Sequence, residues 1–177
     1  MPDVQADVQP DLQEDGESQQ RTDEERVRFI SKVARERELR IAAAESLTAG
    51  RVSDLLGAGE GAADWYAGTV VAYSEDVKFR VLGVTPGPVV TDACARQMAE
   101  GVRRLMRADV AVGITGVGGP GPEEGCPAGT VHVAVADATG TVSLHALLPG
   151  DPPAVVAEAA SLALDELAGS LRTPAPE

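Results

Sequence analysis

A side-chain hydroxyl that is to attack a carbonyl needs a base to take its proton and donors to receive the charge that develops. The stretch IAAAESLTAGRVSDLLG, residues 41–57, supplies such a hydroxyl. It reads as a buried strand running into an amphipathic helix, with Glu45, Ser46 and Thr48 at the corner. Free N–H groups and the dipole at a helix start favour negative charge, so this corner suits a tetrahedral oxyanion. It suits a plain N-cap equally well, because Ser and Thr are preferred caps. Glu45, beside the hydroxyl, would orient neighbouring hydroxyls and amides or bind a polar group of a substrate.

The base is harder to find. His132 and His145 are the only histidines, and each sits inside a strand pattern where a structural or surface role explains it, so a Ser-His-Asp triad has little support. Only two of the 15 basic residues are lysines, Lys32 and Lys78. Lys78 falls in the first turn of a short helix after VVAYSED, where the dipole disfavours a cation and partial burial would lower its proton affinity further. Lys, unlike Arg, can then act as a base; a surface Lys paired with Glu75 is the plain alternative. Tyr73, at the strand end five residues earlier, would hydrogen-bond the same hydroxyl, stack on a flat ligand ring, or serve as an ordinary sheet tyrosine.

A third segment, TGVGGPG at residues 115–121, follows a buried strand. Glycines there let a backbone approach a ligand closely, and ligands of α/β sheets collect beyond strand ends. Gly116, Gly118 and Gly121 spell G-x-G-x-x-G, but Pro120, Pro122 and Pro127 argue against the helix that a dinucleotide site requires. A Rossmann site is therefore rejected, and no P-loop pattern occurs. A merely structural loop stays open on glycine content alone.

The elements that must position these residues follow from periodicity. With 177 residues the chain is about the size of one domain. Residues 1–20 are polar and acidic and are expected to be a disordered tail, with the domain over residues 21–172. Thr22 and Glu25 have capping-box spacing, and a first helix is expected from there to about Glu38. Strands follow at LRIAAA, WYAGTVVAYS and ADVAVGIT, and a hairpin at TVHVAVAD and TVSLHALLPG; GEGAAD is read as a loop. Helices are expected at RVSDLLG, EDVKFRVLG, Asp92 to Arg107 capped by Thr91, and Pro153 to Leu171, with a frayed TPAPE end. Strands interleaved with helices and closed by a hairpin predict a single layered α/β/α domain with a mixed sheet.

Charge and cysteines exclude several classes. The net charge is -13, of which residues 1–25 contribute nine acids against one Arg, leaving -5 for the rest. Such a body repels phosphate backbones, so nucleic acid is not an expected partner. Cys94 and Cys126 form neither a disulfide framework nor a zinc motif. Neither a membrane-length apolar run nor a secretion signal appears, and a cytoplasmic protein with no membrane partner is expected.

The segments AESLTAG, VVAYSEDVKFRVLGV, VVTDACARQMAEGVRR, ADVAVGITGVGGPG and PAGTVHVAVA, in this order over about residues 22 to 170, resemble the nicotinamide-nucleotide amidase family, also known as the CinA C-terminal domain. The resemblance implies hydrolysis of the carboxamide of nicotinamide mononucleotide to nicotinate mononucleotide and ammonia, with no metal and no cofactor. By position it implies Ser46 as nucleophile and Lys78 as base, with Tyr73 assisting, through an acyl-enzyme whose oxyanion the helix N-terminal amides hold. Glu45, Thr48, Gly50, Ser74, Thr115, Gly116, Gly118, Gly119, Gly129 and Thr130 would form the wall that binds the nucleotide. It also implies a homodimer or larger assembly. A nucleotide-binding protein of the same fold that has lost catalysis is the alternative.

Several positions depart from the family pattern. Leu47 stands for a Cys, Ala49 for a Gly, Glu75 for an Asn, Thr91 for a frequent Ser, and Cys126 for a frequent Lys. Ala49 removes backbone freedom, and Glu75 adds a negative charge that would repel a phosphate if it faced the site.

Overall fold

A computed structural model describes residues 11–172, with side chains from residue 22 onward. The chain runs α1 (Asp11–Glu36), β1 (Ile41–Glu45), α2 (Arg51–Gly57), α3 (Ala62–Trp65), β2 (Tyr66–Val71), α4 (Glu75–Leu82), α5 (Asp92–Met106), β3 (Val110–Gly116), β4 (Thr130–Ala136), β5 (Thr141–Leu147) and α6 (Pro152–Arg172). The five strands form one mixed sheet in the order β2-β1-β3-β4-β5. β1 pairs parallel with both β2 and β3, while β4 and β5 add as an antiparallel hairpin. The predicted mixed α/β architecture is the observed one.

Side-chain size distributes the helices. Ile41, Val112, Ile114, Val131, Val133 and Val135 point to one face and pack against α1, α2 and α6. Ala42, Ala44 and Ala111 point to the other and let α4 and α5 lie close, with Leu82, Met98 and Val102 filling the space. The approach of α5 is so tight that a Cβ on Gly113 would stand 2.6 Å from the Ala95 carbonyl oxygen, and one on Gly101 would stand 2.0 Å from that of Leu82. Both are contacts that only glycine permits. No described helix is long and apolar enough to cross a membrane.

Two elements differ from expectation. α1 begins at Asp11, not Thr22, so Thr22 lies within the helix rather than at its start. Residues 11–21 hold three Gln and two Glu, which favour helix once a packed segment follows to nucleate it. That segment is anchored: buried Asp23 accepts from the Ser161 hydroxyl at 2.9 Å, and Arg26 bridges Asp23 and Asp165. The tail expected over residues 1–20 is thus helical from Asp11 onward, and residues 1–10 lie outside the described residues, as does the frayed end from 173 to 177. The expected GEGAAD loop contains the start of α3, one helical turn held by the buried Trp65, whose Nε1–H donates to the Glu60 carbonyl at 3.0 Å.

Candidate active site

The parallel strands β1, β2 and β3 all end at one edge of the sheet, and β4 begins there. Ser46, Tyr73, Gly116 and Thr130 follow or occupy those four ends, although up to 84 residues of sequence separate them. At this edge opens a cleft of about 200 Å³. Ser46, Leu47 and Tyr73 form one side of it, and Gly116, Gly118 and Gly119 another. Glu123, Pro152 and Val156 complete the wall.

Ser46 is 8% exposed and Tyr73 71%, so the serine lines the cleft from within while the tyrosine stands out at its lip. Lys78 is not in the wall. It is 1% exposed, one turn into α4, and its Nζ donates to the carbonyl oxygens of Ala72 at 2.7 Å and Tyr73 at 3.4 Å. Burial lowers its pKa below the usual lysine value, against the opposing pull of Cys94, Glu75, Glu124 and Glu123. The plain alternative, a surface Lys78 paired with Glu75, does not occur. Cys94, buried beside it on α5, has its thiol pushed up to about 11, chiefly by the same desolvation.

Glu45 answers a different need. Its side chain, fully buried, points to the α2 side and accepts from the Thr48 hydroxyl at 2.8 Å and from the N–H groups of Gly50, Val52 and Ser53 at 3.0, 3.0 and 2.9 Å. These are the donors that a helix start leaves free. Glu45 and Thr48 are therefore spent on the first turn of α2 and do not face the cleft. The α2 amides expected to hold an oxyanion are spent with them. Gly50 takes φ +103 as the residue before α2, and Ala49 before it takes φ +48, a left-handed conformation that an L side chain adopts at a cost.

The other expected binding residues divide in the same way. Ser74 caps α4 by accepting from the Val77 N–H. Thr115 is buried and donates to the Val89 carbonyl at 2.9 Å, and Thr130 donates to that of Pro127 at 2.7 Å. Gly129 has φ +86, and a Cβ there would lie 2.0 Å from the Leu148 carbonyl oxygen, so it serves the packing of the loop on β5. Gly116, Gly118 and Gly119 do line the cleft. Glu75 is exposed and outside the wall.

Three wall residues, Glu123, Pro152 and Val156, were not singled out from sequence. Glu123 lies in a turn closed by a reciprocal pair of backbone hydrogen bonds with Cys126 at 3.0 and 2.8 Å. The Glu124 carboxylate fastens the same loop to the N–H groups of Val89 and Val90. Among the described residues no cluster of three or more His, Cys, Asp or Glu side chains is arranged to hold a metal ion.

The comparisons with known proteins agree with this fold. The chain superposes on the crystal structure of a competence-damaged protein (CinA) superfamily protein from Enterobacter cloacae with a TM-score of 0.82 and 32% identity, covering 97% of this chain and 98% of that one. A competence/damage inducible protein, CihA, from Agrobacterium tumefaciens gives a TM-score of 0.81 at 28% identity, over 86% of this chain and 96% of that one. A CinA-like protein of Gemmatimonas aurantiaca is 43% identical over 140 residues, which are 74% of this chain and 32% of that protein. The CinA-like protein of Frankia casuarinae is 38% identical over 135 residues, which are 73% of this chain and 31% of that protein. The chain thus spans about a third of the length of these curated relatives. With the CinA C-terminal domain pattern matching residues 23–171, nearly all of the described structure, this chain belongs to the CinA C-terminal domain family.

Proposed function

We propose that the chain is a serine amidohydrolase that releases ammonia from the carboxamide of a pyridine nucleotide, with nicotinamide mononucleotide as the reference substrate for the class. The observation that carries the reading is the placement of Ser46 within the cleft, with a buried lysine of lowered pKa behind the adjacent wall. Ser46 directly follows β1, and Lys78 lies buried on α4 with its amine against the carbonyl of Tyr73, the residue that forms a side of the cleft with Ser46.

A neutral lysine amine has two hydrogens and one lone pair. Both hydrogens are matched by the Ala72 and Tyr73 carbonyls, so the lone pair is the part of Nζ left to accept the Ser46 proton. The hydroxyl then attacks the carboxamide carbon, ammonia leaves with the returned proton, and water releases the acyl group. The Glu45 carboxylate occupies the N–H groups of Gly50, Val52 and Ser53, so in this reading the oxyanion falls to the corner N–H groups of Leu47 and Thr48. Tyr73, exposed at the lip, is better placed to stack on the pyridine ring than to relay a proton.

Purified protein incubated with nicotinamide mononucleotide, nicotinamide riboside and free nicotinamide is expected to release ammonia from at least one of them, and Ser46→Ala to abolish release while still binding it. A nucleotide-binding protein without catalysis is the second reading, favoured by the absence of Lys78 from the cleft wall. Saturable binding by the parent protein with no ammonia from any member of the panel would decide for it.

A further inference from the structure

β5 is an open edge of the sheet, since among the described residues nothing pairs beyond it in the order β2-β1-β3-β4-β5. Its backbone groups point in two directions. The Leu148 N–H bonds to the Gly129 carbonyl at 2.8 Å and the Asp137 N–H to that of Gly140 at 2.9 Å, so the even-numbered residues along β5 face β4. Ser143, His145 and Leu147 therefore turn their N–H and C=O groups outward. So does Thr141, whose carbonyl already accepts from Arg96 Nη1 on α5.

Such an edge is ordinarily guarded by charge, proline or a bulge. The strand TVSLHAL has neither charge nor proline, and it pairs with β4 without a break from Thr141 to Leu147. Its two faces are covered unequally. On one, α5 reaches β5 through Asp92 to Ser143 and Glu100 to Thr141. On the other, Val142, Leu144 and Ala146 stand opposite Val135, Val133 and Val131, and α6 packs on β3 and β4. Val142 is thus left 60% exposed and Leu144 36%, while Leu147 is 62% exposed on the α5 face.

A second copy of the same strand, running antiparallel, fits this edge. A two-fold axis at Leu144 sets Ser143 against His145 and Thr141 against Leu147 as hydrogen-bonded pairs. It sets Val142 against Ala146 and Leu144 against its own counterpart between them, so the apolar side chains beyond α6 meet each other on one face. Charge favours the same seam. A chain of net charge -13 repels its own copy, but no charged residue lies from Ala138 to Gly150. One strand about 24 Å long covers less than the ~800 Å² per partner of a standard stable complex, which makes the pairing concentration-dependent.

We propose that β5 is the self-association edge of this chain, joining two copies into one continuous sheet by antiparallel pairing about Leu144. No residue of the cleft wall lies on β5, so the pairing stands apart from the amidase reading. Sedimentation of the full chain between about 1 and 100 μM is expected to show a monomer passing to a dimer. Leu144→Lys, which sets two like charges face to face, should weaken that association at least tenfold with the circular dichroism spectrum retained. The register is tested by cross-linking in a Cys126→Ser background, under oxygen with copper phenanthroline. Leu144→Cys is expected to give a disulfide-linked dimer, because directly opposed residues of a pair without hydrogen bonds stand ~4.5 Å apart at Cα. Val142→Cys should not, because its counterpart lies four residues along the seam. A monomer at every concentration, assemblies larger than a dimer, or a dimer indifferent to Leu144→Lys would overturn the proposal. Equal cross-linking of the two cysteine variants would overturn the pairing about Leu144.

Discussion

At the scale of single residues, the proposed chemistry rests on an amine whose burial lowers its proton affinity. Burial lowers the Lys78 pKa, so the neutral form needed in a base is present below pH 10.5, and kcat/KM should rise with pH along a limb centred below that value. The same shift has a stability counterpart. Between the lowered folded pKa and the unfolded one, the unfolded chain binds the extra proton, so stability rises with pH across that window. Lys78→Met, similar in length but without the amine, should lower kcat by about 10²- to 10⁴-fold with the circular dichroism spectrum retained. Near-parent turnover in that variant would take Lys78 out of the reaction. Ala49 is a residue of the opposite kind, strained without chemical return. Its φ of +48 is relieved in Ala49→Gly, for which a gain of about 0.5 to 1 kcal/mol in urea unfolding is expected.

At the scale of elements, Glu45 is the tie that sets α2 against the end of β1. Its carboxylate takes three backbone N–H groups and a hydroxyl, so Glu45→Ala strands several donors in a buried place. A loss of about 3 kcal/mol or more is expected for it from the denaturation midpoint, against about 1 to 3 kcal/mol for Glu45→Gln, which keeps one acceptor oxygen. A change below about 0.5 kcal/mol in both would mean the amides find other partners. The β4–β5 hairpin carries a second element-level device. His132 stands directly across from His145, with ring centroids 4.7 Å apart, and its Nδ1 is buried without a hydrogen-bond partner. Burial and His145 lower its pKa, and Asp92 on α5, held by Arg96 and Ser143, only partly offsets them. A lowered folded pKa means stability is full above pH 6.5 and is lost as pH falls through the folded value, because the unfolded chain takes up the proton first. His132→Leu should flatten the acid side of a plot of melting temperature against pH; an unchanged slope would place the sensitivity elsewhere.

At the scale of the whole molecule, the cleft is assembled by the sheet and by α6, and α1 supports α6 from behind through Asp23, Arg26 and Asp165. The anchoring side chains begin at Asp23, and the apolar ones that α1 adds to the core are Val27, Ile30, Val33 and Ala34. Removal of residues 1–20 is accordingly expected to leave turnover unchanged within about twofold and to lower stability by less than about 1 kcal/mol. A large fall in activity would mean that the acidic segment reaches the cleft or a second subunit.

The alternation and helical spacing of apolar residues were enough to read the strands, most helices and the mixed α/β class, because those patterns report which face of each segment is buried. Local chemistry was legible too: Thr91 caps the helix that follows it and Gly83 ends α4 in the left-handed conformation, whereas Ser74, assigned to the binding wall, is the cap of α4. Even Glu45 as an orienter of amides was within reach of the sequence. What the order of residues does not encode is direction and company. Only the packed sheet turns Glu45 and Thr48 into α2, buries Lys78 against two carbonyls, and swings Glu123 and Pro152 into a wall with Ser46, at separations of 77 and 106 residues. Those placements follow from strand order and from how closely α5 and α6 lie on the sheet. They are long-range contacts, which no local pattern of apolar and polar residues specifies.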